Sequence, residues 1–262
     1  MRAFRYHAAG HASTPRVEDV PAPEPAAGEV LVRVRCASLN PVDWKIAAGK
    51  FRFLVKGGLP RTMGSDFAGE IASVGPGVEG WGPGDLVMGF IDPFARSCGT
   101  FAEYVPVPVG FVTRRPQAVD EVLGAALPCV GLTAVALCNL AQVGAGSSVL
   151  VNGASGGVGH LTLQVAKARG ALVAATASAA RRGFVTALGA DEFIDYRARP
   201  VSDWPMAFDA VLDCVPNLPR ASHRRLLKRG GHYASTLPNG WTYTLDPLLN
   251  RMGRLQRHAV ML

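Results

Sequence analysis

Val149-Leu-Val-Asn-Gly-Ala-Ser-Gly-Gly-Val-Gly159 runs straight into His160-Leu-Thr-Leu-Gln-Val-Ala-Lys-Ala-Arg169, and this stretch decides the fold. Val149 to Val151 is a short apolar run with β-branched residues, as a buried parallel strand requires. A glycine-dense turn follows, and then Val158, Leu161, Val165 and Ala168 fall along one helical stripe. Strand, tight turn and helix in that order make a phosphate site, because a helix N-terminus offers unpaired N–H groups and a partial positive charge. Gly156 and Gly159 fit the second and third glycines of the dinucleotide fingerprint, while Ala154 stands where the first belongs. Residues 172–176 read as the next strand and close a βαβ unit of about 30 residues.

The end of that second strand bears on cofactor choice. An NAD-preferring site places Asp or Glu there, to accept from the ribose 2′-hydroxyl. Here the chain reads Thr176-Ala-Ser178-Ala-Ala-Arg181-Arg182, with no carboxylate before Asp191. A small hydroxyl followed by arginines suits a 2′-phosphate, because guanidinium donors match its oxygens. The competing reading has Ser178 capping a helix and both arginines facing water. The expected cofactor is NADPH.

With 262 residues, 48% hydrophobic and 18% charged, the chain has ample core for one large domain or two ordinary ones. No run reaches the length of a membrane span, and Met1-Arg-Ala-Phe-Arg-Tyr lacks the apolar core of a signal peptide. Five scattered cysteines, an odd number, argue for reduced thiols in a cytosolic setting. The net charge of +7 permits nucleic-acid binding. The basic residues read as spread in ones and twos, without interleaved aromatics, so an anionic cofactor or plain solubility is the expected reason for them.

Residues 1–115 and 116–262 differ in texture. In the first part, strand-like runs at 29–35, 69–74, 85–90 and 101–105 alternate with Gly/Pro turns, the pattern of an antiparallel, barrel-like β domain. Residues 111–120 read as a connection. From Val122 helix and strand alternate, with strands expected at 148–152, 172–176, 192–195, 208–213 and 231–236 and a last one over 257–262. That alternation implies a doubly wound parallel sheet, with 153–159 at its carboxyl end where ligands bind. The class is α/β.

Several motifs then combine into a family resemblance. They are Asn40-Pro-Val-Asp-Trp-Lys45, Gly64-Ser-Asp-Phe-Ala-Gly69, Val74-Gly-Pro-Gly-Val78, Gly84-Asp85 and Gly99-Thr-Phe-Ala-Glu-Tyr104. Leu127-Pro-Cys-Val-Gly-Leu-Thr-Ala134, the turn at 152–159, Leu188-Gly-Ala-Asp191 and Leu227-Lys-Arg-Gly-Gly231 complete the set. In this order and spacing the chain resembles the medium-chain dehydrogenase/reductase superfamily, specifically its zinc-independent quinone oxidoreductase branch. The resemblance implies a GroES-like first domain and a Rossmann nucleotide-binding domain. It also implies that NADPH rests on Ala154, Ser155, Gly156, Gly157, Val158 and Gly159. Ser178 and Arg181 or Arg182 would meet the 2′-phosphate, with Tyr196 near the adenosine. Asn217, Ser235 and Leu237 would lie along the nicotinamide side. Asn40, Lys45 and Asp66 would line the cleft, and Thr133 and Lys45 would contact the nicotinamide.

Four of these implied roles have a structural rival. Lys45 stands where many relatives have Tyr; its ammonium suits a developing enolate or quinol oxygen, or it is an exposed lysine on a turn. Asp66 is a site residue or a buried turn-former bonded to backbone N–H groups. Asn40 binds substrate or shapes the loop before Pro41. Tyr196 is a contact or ordinary packing.

Zinc-dependent relatives carry Cys at the place of Asn40, His-Glu at Ser65-Asp66, and Cys at Cys129; only Cys129 remains, and a catalytic zinc needs three protein ligands. Their four-cysteine lobe is represented by Cys98 alone, and the six histidines show no ligand spacing. The expectation is therefore metal-free, with Cys129 a core residue. Hydride addition to a quinone or a conjugated C=C needs no metal, because the acceptor delocalises the incoming charge.

The resemblance further implies several dozen residues after Leu262 that return to the first domain. Without them that domain has an open sheet edge and uncovered apolar surface. A homodimer through the edge of the nucleotide-domain sheet, near 241–256, is expected, with a small quinone or enone as substrate and neither nucleic acid nor membrane as partner. Three functional readings stay open at this point. They are an NADPH-dependent reductase of quinones or α,β-unsaturated carbonyls, a catalytically idle NADPH-binding or interaction protein, and a piece of a larger enoyl-reducing assembly.

Overall fold

An antiparallel main sheet in one compact unit, Met1–Cys129, and a parallel sheet in the other, Val130–Leu262, divide the chain. The computed structural model describes residues 1–10, 14–205 (at 202 the backbone only), 207–219, 222 and 225–236, with the backbone of Gln256–Ala259.

The first unit begins with β1 (Arg2–Tyr6) and β2 (Arg16–Asp19), then β3 (Glu29–Ser38) and α1 (Pro41–Ala47). After β4 (Arg61–Thr62) come β5 (Asp66–Val74), β6 (Leu86–Phe90), β7 (Tyr104–Pro108), β8 (Val112–Arg114) and α2 (Glu121–Ala126). Its main sheet has five strands in the order β7-β3-β5-β6-β8, all pairs antiparallel, and β2-β1-β4 form a small second sheet. Alternation along β3 sends Val30 and Val32 into a core with Phe67, Ile71, Val87, Ile91, Val105 and Val107. Pro106 and Pro108 lie on β7, an edge strand, where a missing N–H costs no ladder bond.

Local differences from the sequence reading have physical causes. The strand expected at 101–105 is shifted to Tyr104–Pro108, because Phe101 N–H is bonded outside the sheet to Met63 O. The expected connection at 111–120 contains β8, which pairs with β6. Helix α1 was not foreseen, although Asn40 at its N-cap, Pro41 at its first position and Asp43 in its first turn are start signals. Helix α2 packs on β3, β5 and β6, so the first compact unit runs past the 115/116 boundary that texture suggests.

Helix α3 (Pro128–Leu140) leads into β9 (Ser148–Asn152), α4 (Gly157–Ala168), β10 (Leu172–Ala177), α5 (Arg182–Ala187) and β11 (Glu192–Asp195). There follow β12 (Phe208–Asp213), β13 (Leu227–Ser235) and β14 (Gln256–Ala259). The six strands pair in parallel in the order β11-β10-β9-β12-β13-β14. Numbered within the unit, that is the 3-2-1-4-5-6 order of a doubly wound dinucleotide-binding sheet. Val149 and Val151 enter one core with Leu137, Leu163 and Val173, and Leu150 enters another with Ile194, Trp204 and Val211. Both faces are covered, which is why the strands read as continuous apolar runs. Strand β13 starts at Leu227, earlier than the expected 231. Leu237 and the expected dimer edge near 241–256 lie outside the described residues, apart from the backbone at 256.

Candidate functional site

In the second unit the chain reverses direction across the sheet between β9 and β12, and the turn at 153–156 opens beside that switch point. Gly153 has φ +76°, and a Cβ there would meet the Val215 side chain at 2.4 Å. A Cβ on Gly159 would lie 2.1 Å from the Gly153 carbonyl oxygen, so α4 can pass close to the turn only with glycine at this point. Gly156 is the N-cap of α4 and no side chain caps that end, leaving the first turn's N–H groups to an outside acceptor. A cavity of about 400 Å³ adjoins the turn, lined by Asn152, Gly153, Gly156, Tyr196, Val215 and Asn217 among others. Its size suits one portion of a dinucleotide. These features fit a nucleotide diphosphate.

A buried polar chain lies under the turn. Gly153 N–H donates to Thr176 Oγ1 (2.9 Å), and the Thr176 hydroxyl donates to Asn152 Oδ1 (2.7 Å). Asn152 Nδ2 then donates to Asp213 Oδ1 (2.7 Å) and to Asn217 Oδ1 (3.0 Å). Tyr233 O–H donates to Asp213 Oδ2 (2.6 Å), and the backbone N–H groups of Val215 and Leu218 also bond the Asp213 carboxylate. Burial pushes the Asp213 carboxyl above the usual carboxylate range, against these donors. A carboxylate only accepts, so it orients every amide along the chain and leaves the Asn217 amide nitrogen turned from Asn152. Sequence reading missed Asn152, Thr176, Asp213 and Tyr233; buried polar residues at four strand ends were the available signal. Asp213→Ala should lower stability by about 1–3 kcal/mol, because Asn152 and Tyr233 lose a charged acceptor. Thermal melting at pH 7 checks it, and an unchanged melting temperature would refute the network's role.

Beyond the turn, Ser178 is half-buried and does not cap the short helical turn that follows it. Arg181 is exposed, and among the described residues its guanidinium has no partner. Arg182 instead lies over the Phe193 ring, with Cζ 5.5 Å from the centroid. Tyr196 lines the cavity and is 47% exposed. Thr133 is buried on α3, and Ser235 is buried at the end of β13 opposite Asp213.

In the first unit, Asp66 is fully buried where β5 begins. Its Oδ2 accepts from Ser38 Oγ (2.8 Å) and Asn40 Nδ2 (2.9 Å), and its Oδ1 from Cys129 N–H (2.8 Å). The next carboxylate, Asp43, accepts from Asn40 N–H (2.7 Å) and from Ser65 Oγ. Asn40 and Asp66 are therefore tied to one another. Lys45 stands apart: it is half-buried on α1, which corrects the alternative of a turn, and its Nζ lies 5.7 Å from the Trp44 ring centroid. Cys129 is partly exposed and contributes its N–H to Asp66, which corrects its reading as a core residue.

Burial pushes the Asp66 carboxyl up to about 6, despite its three donors. The native state thus binds this proton more tightly than the unfolded chain. The resulting stabilisation is fully present below about pH 4 and is lost as pH rises through about 6. Asp66→Asn should lower the stability at pH 4 relative to that at pH 7 by about 2 kcal/mol compared with wild type. Parallel melts at the two pH values read this, and an identical difference in both proteins would refute it.

Among the described residues no three His, Cys, Asp or Glu side chains group closely enough to hold a metal ion. The donor chemistry around Asp66 is also unlike a zinc site: an amide nitrogen and a hydroxyl donate into the carboxylates, which uses the lone pairs a metal would need. None of the five cysteines forms a disulfide, and no described helix is long and apolar enough to cross a membrane.

Residues 26–117 match the family model of the alcohol dehydrogenase GroES-like domain, and residues 157–238 match that of the zinc-binding dehydrogenases. The chain is 36% identical to the chloroplast envelope quinone oxidoreductase homolog of Arabidopsis thaliana, over 95% of this chain and 79% of the relative. It is 35% identical to the chloroplastic NADPH-dependent alkenal/one oxidoreductase of the same plant, over 88% of this chain and 61% of the relative. The quinone oxidoreductase of Coxiella burnetii superposes with a TM-score of 0.88 at 31% identity, covering 100% of this chain and 82% of that one. With the GroES-like sheet, the 3-2-1-4-5-6 sheet and the glycine turn all present, the chain belongs to the medium-chain dehydrogenase/reductase superfamily, in its quinone oxidoreductase branch.

Proposed function

We infer that this protein is an oxidoreductase that reduces quinones or α,β-unsaturated carbonyls, with NADPH as the hydride source. The observation that carries the reading is the glycine turn beside the 400 Å³ cavity, with Arg181 unpartnered beyond a strand end that has no carboxylate. The names of the reported relatives, all oxidoreductases and one NADPH-dependent, support it over a catalytically idle binder.

When bound, the reduced nicotinamide supplies the hydride. The chain's own residues bind, orient and stabilise charge. The α4 N-terminus and the turn at 153–159 hold the diphosphate, Ser178 and Arg181 hold the 2′-phosphate, and Arg182 stays on Phe193. Tyr196 borders the adenosine portion, and Asn217, fixed by Asn152 and Asp213, lines the nicotinamide portion with Thr133 and Ser235. Asn40 and Asp66, buried and bonded to each other, act as positioning residues that fix the start of α1. Lys45, on that helix, presents an ammonium to the oxygen that gains charge as the acceptor is reduced.

Five cysteines with no disulfide among them support a reducing compartment, and the two plant relatives bear chloroplast names. The test follows NADPH absorbance with a panel of small quinones and enones. Turnover of at least one class, with NADPH preferred over NADH, is expected; no turnover by protein that binds NADPH would overturn the reductase reading.

A further inference from the structure

Apart from Asn40, Asp43 and Lys45, residues 39–60 of the first unit carry a surface that neither the nucleotide site nor the Asp66 cluster uses. Phe53 is 91% exposed, and Leu39, Trp44, Leu54 and Leu59 are exposed with it. Between them stand Lys50, Arg52 and Lys56, all exposed. The sole carboxylate of the segment, Asp43, is buried. Among the described residues none of these three cations forms an ion pair. Aromatic and basic residues are thus interleaved here, contrary to the sequence reading of basic residues scattered without aromatics.

The segment is anchored, not frayed. Phe51 packs edge-on against Phe94 with ring centroids 5.7 Å apart, and Lys56 N–H donates to the Phe94 carbonyl (2.6 Å). The buried Arg61 guanidinium donates to the carbonyls of Lys56, Pro93 and Arg96. Between these ties Leu54 and Val55 N–H groups fold back on the Phe51 carbonyl, which leaves residues 52–54 at an outward tip. An exposed apolar tip held in place in this way is a surface prepared for a partner.

We propose that the exposed apolar residues of 39–60, with Lys50, Arg52 and Lys56, form a docking face for an anionic lipid bilayer. Three unpaired cations complement a negative surface, and Trp and Phe beside Lys and Arg match the composition of the membrane interface. Two observations favour lipid over single-stranded nucleic acid, which also selects aromatics among cations. Leu39, Leu54 and Leu59 gain nothing from base stacking but gain by entering hydrocarbon. The ring faces a base would need are also taken, since Lys45 and Lys50 lie 5.7 and 5.5 Å from the Trp44 centroid and Arg52 lies 5.0 Å from that of Phe53. The earlier expectation of no membrane partner rested on the lack of a spanning segment, which does not bear on peripheral docking.

The test is sedimentation of the full chain, without cofactor or substrate, with vesicles of phosphatidylcholine alone or mixed in equal parts with phosphatidylglycerol. Binding to the anionic vesicles alone, weakened by salt, is expected. Phe53→Ser with Leu54→Ser should lower the partition coefficient about tenfold or more. Arg52→Ser with Lys56→Ser should lower it about 25-fold, roughly fivefold per cation. Both pairs are exposed, so wild-type melting temperatures are the control for folding, and Phe53→Leu should restore binding. Equal sedimentation with both vesicle types, or variants that sediment like wild type, would overturn the proposal. Binding of a single-stranded oligonucleotide that the same variants lose, with vesicles left in the supernatant, would overturn it in favour of nucleic acid.

Discussion

Gly159→Ala is expected to weaken NADPH binding by about a hundredfold or more and to lower stability by about 1–3 kcal/mol. The added Cβ would lie 2.1 Å from the Gly153 oxygen, 2.8 Å from its carbon and 2.9 Å from Ala154 Cα. All three neighbours are backbone, so no side-chain rotation relieves the clash. Either α4 moves off the sheet or the turn moves, and an ångström of displacement there misaligns the N–H groups that meet the diphosphate. Gly157→Ala is the control for stability: its Cβ would meet Val130 at 3.5 Å, an ordinary contact. Fluorescence titration with NADPH and thermal melting of both variants measure this, and two indistinguishable variants would show that the close approach at 159 has no special role.

Arg181→Ala is expected to weaken NADPH binding by about 10- to 100-fold while NADH binding stays within about twofold of wild type. That is the effect of losing charge-assisted hydrogen bonds to a single phosphate. Arg182→Ala should change NADPH affinity no more than about threefold, since its guanidinium already lies over Phe193. Isothermal titration with both dinucleotides separates the outcomes. Equal losses of NADPH and NADH affinity in the Arg181 variant would remove the 2′-phosphate from its role. A large loss in the Arg182 variant alone would transfer that role one position along the chain.

The parallel sheet was legible because its signals are local. Val149 to Val151 are all apolar because both sheet faces are covered, and Gly153, Gly156 and Gly159 are spaced as a turn into a helix requires. The antiparallel unit was harder to read. The register of β3 against β5 shifts twice, between Leu31 and Val32 and between Val34 and Cys36, and each shift breaks the two-residue alternation. Helix α1 is seven residues long, too short for a periodic stripe to stand out, and only its cap chemistry announced it.

At the site, residue types could be read but not their partners. Asp66 and Asn40 could be picked out as polar residues in family motifs, yet their rival readings stayed open until the 2.9 Å bond between them was seen. Arg181 and Arg182 are adjacent and identical in kind, so sequence could not rank them. Phe193, eleven positions on, makes the difference.

By itself the sequence determined the family, the two kinds of sheet and the place of the phosphate turn, because those depend on side-chain period, missing Cβ atoms and motif spacing along a continuous stretch. Only the tertiary structure decided which arginine is unengaged, which buried carboxylate orders the 213–218 loop and which aromatic stands in solvent. Each of those properties is set by neighbours distant in the chain: the Phe193 ring, the Asn152 and Tyr233 donors, and the Phe94 and Arg61 anchors that hold residues 52–54 outward.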